Sequence, residues 1–232
     1  MIPNIKRKIS ELKHELHALK VYSNEDLANI IKEVGFKCDL CGRCCTNEFN
    51  DHVFLLDRDT TIIKEIEPTA LVPAPYYELC DQYGRFYVCG YSLRTQHDGS
   101  CIFLERGSCR IYNHRLTICR IYPYMLHREP DEKGIIDWRQ ISGLNQHGIY
   151  HTDIPVEECQ RIAQLTKEYE ESFLLHEISF LERMNEFFSK HKLRHVRKVY
   201  NDRLQSYNSG AEINVFVYYK GNLELNKLKK IL

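Results

Sequence analysis

The feature that most limits what this chain can fold into is the run Cys38-Asp39-Leu40-Cys41-Gly42-Arg43-Cys44-Cys45, four cysteines in eight positions. The two-residue spacing of CxxCxxCC lets consecutive thiolates turn inward on one tight loop, the geometry that tetrathiolate zinc and iron–sulfur sites both require. Gly42 suits such a loop, because its backbone is free to visit positive φ and to aim N–H groups at sulfur. The chain carries ten cysteines in all. Its start, MIPNIKRKISELKHELHALK, alternates charged and apolar residues and has no apolar signal core. The expected location is therefore the cytoplasm, where the cysteines read as metal ligands or redox thiols rather than disulfides. No stretch approaches the ~18 apolar residues of a membrane span.

A second set follows at Cys101, Cys109 and Cys119, within CIFLERGSCRIYNHRLTICRIYP. Its spacing is too irregular for a zinc finger and suits ligands delivered from separate turns. Cys159 stands where a helix should begin, and the helix dipole is expected to lower its thiol pKa. Cys89, in the apolar run RFYVCGY, reads as a buried thiol, and the sequence leaves Cys80 open. The candidate metal and cofactor ligands are thus Cys38, Cys41, Cys44, Cys45, Cys101, Cys109, Cys119 and Cys159. These are too many for one tetrahedral ion, and adjacent Cys44 and Cys45 point in different directions. Two four-ligand sites, or one cluster and a second metal, are the simplest counts. Cys38, Cys41 and Cys44 repeat the CxxCxxC run that gives three ligands to [4Fe–4S] centres, which favours an iron–sulfur cluster. Arg120, where ferredoxin runs place Pro, keeps Zn2+ as the alternative.

These motifs resemble the YkgJ-like CxxCxxCC cysteine-cluster family, named for zinc or iron chelation. The resemblance rests on Cys38 to Cys45, Cys101-Ile102-Phe103-Leu104, Cys109-Arg110-Ile111-Tyr112 and Cys119-Arg120-Ile121-Tyr122-Pro123, and spans roughly residues 36 to 160. Members commonly have Arg-Pro before the last motif, where this chain has Arg115-Leu116. The resemblance implies metal binding through the cysteines. Flagellin lysine methylases look similar over the cluster, which implies an enzyme reading in which a protein side chain is modified.

Elsewhere the pattern is helical. Ile5, Ile9, Leu12, Leu16 and Leu19 mark an amphipathic helix, too short for a stable coiled coil and suited to docking on the domain's own core. Ser23 and Asp26 form a capping signal for a second helix through Leu27, Ile30, Ile31 and Val34, ended by Gly35. Strands are expected at 52–57 and 85–91, and a short helix at 60–66 before Pro68. After Pro155 the apolar positions Ile162, Leu165, Tyr169, Phe173, Phe180, Met184 and Phe187 predict a long helix. A strand is expected at 213–219, followed by the turn Lys220-Gly221-Asn222. The fold class is α+β and mainly helical: an irregular, cysteine-ligated, loop-rich core flanked by helices, with a short C-terminal strand. The expected divisions are 1–35, an N-terminal helical segment; 36–160, the metal-binding domain; and 161–232, a helical extension ending in a strand.

Other chemistry is weakly signalled. The segment 122–151 is dense in polar and aromatic residues, including His127, Arg128, Asp137, Trp138, Arg139, Asn145, His147 and His151. It reads as a surface loop, or as a face on which Arg110, Arg120 and Arg139 donate to an anion or to cluster sulfurs. There is no GxGxxG, Walker A, GxSxG or HExxH run, and no zinc-deaminase signature. The overall charge is zero, but residues 186–232 hold ten Lys and Arg against four Asp and Glu. A solvated helix face explains that surplus more simply than a nucleic-acid contact through Arg194 to Tyr200. The expected role is electron transfer or cluster and metal handling with a protein partner and no membrane. The alternatives are a structural zinc protein that presents an interaction surface and a lysine N-methylase-like enzyme.

Overall fold

The computed structural model describes residues 4–48, 52–124 and 146–230. Among them are six α-helices and nine strands, and the fold is α+β. The chain forms two compact units. One comprises Met1–Lys13, Phe54–Ser92 and Leu175–Leu232; the other comprises His14–Val53 and Leu93–Leu174. Helices α1 (Ile5–Val21) and α5 (Val156–Lys190) contribute residues to both.

In the second unit, α2 (Asn24–Val34) begins as its sequence dictates. The Ser23 side chain accepts a hydrogen bond from the Asp26 N–H at 3.2 Å, and Gly35 closes the helix in the left-handed region at φ 54°. Leu27, Ala28 and Ile31 are buried on its inner face. The first half of α5 buries Ala163, Thr166, Tyr169 and Leu174, and Asn24 Nδ2 donates to Gln164 Oε1 at 2.9 Å. Beyond Gly35 the chain pairs antiparallel with 149–152. Lys37 N–H donates to the Ile149 carbonyl at 2.7 Å and Thr152 N–H to the Gly35 carbonyl at 3.0 Å. This pairing fixes the point at which the cysteine loop departs.

The other unit is built around a four-stranded sheet in the order β3 (Leu79–Cys80), β4 (Phe86–Val88), β8 (Glu212–Tyr219), β9 (Asn222–Lys229). Strands β4 and β8 are parallel, with Phe86 opposite Val215; the other pairs are antiparallel. In β8, Ile213, Val215 and Val217 are buried, the alternation expected of a strand with one packed face. Strand β9 is a half-exposed edge and carries Lys227 and Lys229, charges that discourage edge-to-edge pairing. Tyr87 anchors the core: its ring stacks on Phe216 and meets Phe188 edge-on, and its hydroxyl donates to Asp81 Oδ2 at 2.9 Å. A three-stranded sheet runs β1 (Phe54–Leu55), β5 (Tyr91–Leu93), β2 (Leu71–Pro73). Helix α3 (Asp57–Ile66) stops before Pro68, and α6 (Arg197–Asn208) precedes β8.

The expected helices at both ends and the strands near 54, 86 and 213 are present. The single C-terminal strand expected from the sequence is instead a hairpin. Lys220 (φ 47°) and Gly221 (φ 80°) make a two-residue turn, and β9 follows it.

Candidate metal centre

The cysteine loop starts at Cys38, three residues after Gly35. Leu40 sits at φ 63° and Gly42 at φ 74°, which folds the loop back on itself, and a single 3-10 turn holds Arg43–Cys45. Leu40 N–H lies 3.4 Å from Cys38 Sγ, an N–H···S contact of the kind that stabilises a ligating sulfur. Arg43 braces the loop, donating to the Gln146 carbonyl at 2.8 Å and to Glu48 Oε1 at 2.6 Å.

Separate turns deliver the second set. Cys101 N–H donates to the Cys45 carbonyl at 2.7 Å, and Thr46 bridges Ser100, so the two cysteine-bearing segments are stitched by backbone. Strands β6 (Leu104–Glu105) and β7 (Ser108–Cys109) form a hairpin whose turn residues, Arg106 and Gly107, both have positive φ. Cys109 sits at the end of that hairpin. Cys119 lies in the short helix α4 (Thr117–Ile121).

The result is a largely apolar chamber of about 90 Å³, within one unit of the chain. Cys38, Cys44, Cys45, Cys101, Cys109 and Cys119 all line it. Leu40, Phe103, Ile111, Leu116 and Ile118 supply much of the apolar wall, and His52, Tyr112, Arg115 and Tyr122 are the polar side chains beside the thiols. Electrostatically the sulfurs fall into two groups. Cys44 feels Cys38 and Cys119, whereas Cys101 feels Cys45 and Cys109. The Cys44–Cys45 hydrogen bond joins the groups; it holds the proton on Cys44, raising that thiol, and lowers Cys45 to about 7, with Arg115 adding to the lowering. Burial pushes Cys101 up to about 11 and also raises Cys109.

Two other candidates do not line the chamber. Cys41 is exposed at the outside of the loop, its N–H bonded to Asp39 Oδ1 at 3.1 Å. Cys159 is buried in the first turn of α5, its Sγ directed at the Ile154 carbonyl at 3.8 Å. Its thiol pKa is raised rather than lowered as the sequence suggested, because burial outweighs the field of Lys32. Cys80 and Cys89 are buried in the other unit, and burial raises both thiols. None of the ten cysteines forms a disulfide. Among the described residues no three His, Cys, Asp or Glu side chains close tightly enough to hold a single metal ion.

Of the polar segment after Tyr122, residues His127, Arg128, Asp137, Trp138, Arg139 and Asn145 lie outside the described residues. His147 is buried, bonds to the Tyr122 hydroxyl at 2.9 Å, and has its pKa lowered by burial and by Arg43. His151 is exposed at φ 57°, and neither histidine is helical. Arg110 pairs with Glu105 at 3.3 Å and lies over Phe103; Arg120 is exposed. Neither lines the chamber, whereas Arg115 does. In the sequence, Tyr112 and Arg115 figure only within the family motifs, and no site role attaches to Arg115, Tyr112 or His52. For Arg115, the signal was its place between the Cys109 and Cys119 motifs, where the family commonly has Arg-Pro and this chain Arg115-Leu116.

Residues 37–142 match the family model described as "CxxCxxCC: Putative zinc- or iron-chelating domain". The family resemblance holds. The CxxCxxCC match covers the cysteine loop, the β6–β7 hairpin and α4, the elements that build the chamber. An uncharacterized protein of Methanocaldococcus jannaschii is 30% identical over 94 residues, which is 39% of this chain and 46% of that protein. The aligned part thus spans about half the length of that relative. No solved structure matches. Among the described residues, no helix is long and apolar enough to cross a membrane.

The donor set suits the metals the family is named for. Thiolates are the soft ligands that zinc and iron–sulfur clusters take, and six thiols face one space. A bare tetrahedral ion needs four donors at about 2.3 Å from one point. The chamber is wider than that, with room for several waters at about 10–15 Å³ each.

Proposed function

We propose that the chamber holds an iron–sulfur centre of the [4Fe–4S] type and that the protein serves electron transfer or cluster handling for a protein partner. Cys38, Cys44, Cys45, Cys101, Cys109 and Cys119 are the proposed donors, with Cys41 the remaining thiol that the loop can turn inward. The observation that carries this reading is the chamber itself: six thiols around a space larger than one ion fills, with a largely apolar wall. Such a wall limits solvent access, and together with N–H···S contacts of the Leu40–Cys38 kind it sets the potential of a cluster. When bound, the cluster supplies one-electron chemistry. The chain's own residues hold it and shield it.

A zinc reading is supported by one specific feature. His52 borders the chamber beside Cys45, Cys101 and Cys109 and, with Cys45 and Cys101, also lines the recess that adjoins it; these four would supply a Cys₃His set if zinc binding drew them together. On that reading the metal has a structural role.

Protein purified without oxygen and supplied with iron and sulfide separates the two. A brown protein with a broad charge-transfer band near ~400 nm supports the cluster. Colourless protein that takes up stoichiometric zinc and no iron supports the second reading. Cys→Ser changes at Cys38, Cys44 or Cys119 are expected to abolish the cluster, and changes at Cys80 or Cys89 to leave it intact. Full iron and sulfide content in the first three variants would remove the ligand assignment.

A further inference from the structure

Among the described residues Arg115 is the one Lys or Arg that lines the chamber. Its guanidinium lies over the Tyr112 ring, 4.2 Å from the centroid, which fixes its direction. Its Nε is buried and donates to nothing among the described residues. Other arginines of the chain have carboxylates: Arg43 has Glu48 at 2.6 Å, Arg85 has Asp81 at 2.6 Å, Arg110 has Glu105 at 3.3 Å and Arg161 has Glu158 at 2.6 Å. Among the described residues Arg115 has none within ion-pair reach. A guanidinium stays charged at any ordinary pH, so it cannot escape the cost of burial by losing a proton. A buried N–H of this kind without an acceptor is costly, and the cost persists until negative charge arrives.

We infer that Arg115 is a positioning residue that supplies the countercharge for an anionic metal–thiolate centre in the chamber. The inference rests on the chelating function proposed above. Loading converts each ligating thiol to a thiolate, with the proton released to solvent and the sulfur lone pair given to the metal. Three thiolates around a divalent ion leave a net charge of −1, and four leave −2. Arg115, half-buried with its Nε inside and its guanidinium over Tyr112, offers that charge a directed N–H. The same residue discriminates between occupants: it favours centres rich in thiolate and opposes an uncomplexed cation in the chamber. Aromatic stacking leaves Nε as the free donor, so the role is one of both charge and direction.

The test uses the full chain, reduced and free of oxygen, with Co²⁺ alone as the probe. Sulfur-to-cobalt charge-transfer absorption counts the thiolates per metal, and chelator competition gives the affinity. Arg115→Gln is expected to bind cobalt about tenfold more weakly, about 1.4 kcal/mol, with the same absorption per bound metal. Arg115→Lys keeps the charge and is expected to stay within about threefold of the original chain. Arg120→Gln, exposed and outside the chamber, is expected to be unchanged. Affinity in Arg115→Gln within about twofold of the original overturns the inference. So does equal weakening in the Lys and Gln variants, which would make shape rather than charge the cause. If Arg115→Gln loses its far-ultraviolet circular dichroism, the lysine variant decides alone, and weakening beyond about threefold overturns the inference. Absence of cobalt–thiolate bands in the original chain refutes the chelating function itself, an outcome distinct from all of these.

Discussion

Gly35, which ends α2, and Gly107, which lines the chamber, share a backbone conformation and differ in the space around them, which makes a quantitative test possible. Gly35 has φ 54° and Gly107 has φ 78°. Alanine at either position pays the left-handed cost of roughly 1–2 kcal/mol. At Gly107 a new Cβ meets nothing within 4 Å, so that cost is the whole effect. At Gly35 it would stand 2.4 Å from the Thr152 carbonyl oxygen and 2.6 Å from the Thr152 nitrogen. Both are backbone atoms that cannot swing aside. The pairing of 34–37 with 149–152 must open, which sacrifices the hydrogen bonds to the Gly35 carbonyl from Thr152 N–H at 3.0 Å and Thr152 Oγ1 at 2.7 Å. At about 1 kcal/mol for each bond, Gly35→Ala costs about 3–4 kcal/mol in all. For a chain of this size, each kcal/mol moves the melting temperature by about 2–4 °C. Thermal melts followed by circular dichroism at 222 nm are thus expected to fall by about 2–8 °C for Gly107→Ala and by about 6–16 °C for Gly35→Ala. Asparagine at Gly107, which tolerates the left-handed region, is expected to recover part of the loss. A Gly35→Ala shift no larger than that of Gly107→Ala would refute the steric argument.

Other outcomes follow from the same geometry. In metal-free protein, alkylation of Cys45 is expected to reach half its maximum near pH 7, because the Cys44 hydrogen bond and Arg115 favour its thiolate, while Cys101 lags until about pH 11. Site-resolved mass spectrometry against pH reads both, and equal profiles would contradict the assignment. Asp81→Ala removes a fully buried carboxylate that accepts from Tyr83 N–H, Arg85 N–H, Arg85 Nε and the Tyr87 hydroxyl. Urea unfolding should show a loss of about 3 kcal/mol, and a loss below about 1 kcal/mol would mean that the network relaxes onto water.

The sequence foretold best where a signal was local. Ser23, Gly35, Pro68 and the stripe along α5 are short-range signals, and each stands where a helix starts, stops or faces the core. The cysteine spacing gave the loop but not the chamber, since the nearness of Cys45 to Cys101 and Cys109 depends on a backbone bridge between distant segments. Arg115 was hidden for a similar reason. Arg110, Arg115 and Arg120 look alike in sequence, and only the tertiary structure shows which has a carboxylate, which faces solvent and which turns inward. The pKa of Cys159 followed burial, a property that the helix-start signal did not contain. The β9 strand went unread because its eight residues, NLELNKLK, are polar and Lys-rich, as an exposed edge permits.

The parallel pairing of β4 with β8 has a consequence for biosynthesis. Val88 waits for Val217, so the sheet-bearing unit stays unfinished until Val217 has been translated. The thiol-bearing half has all its parts once Leu174 has left the ribosomal exit tunnel. At about 5–20 residues per second, the interval between Leu174 and Tyr219 lasts about 2–9 s. The nascent chain thus has an ordered timetable in which the thiols are in place for metal delivery before the last hairpin closes its own half.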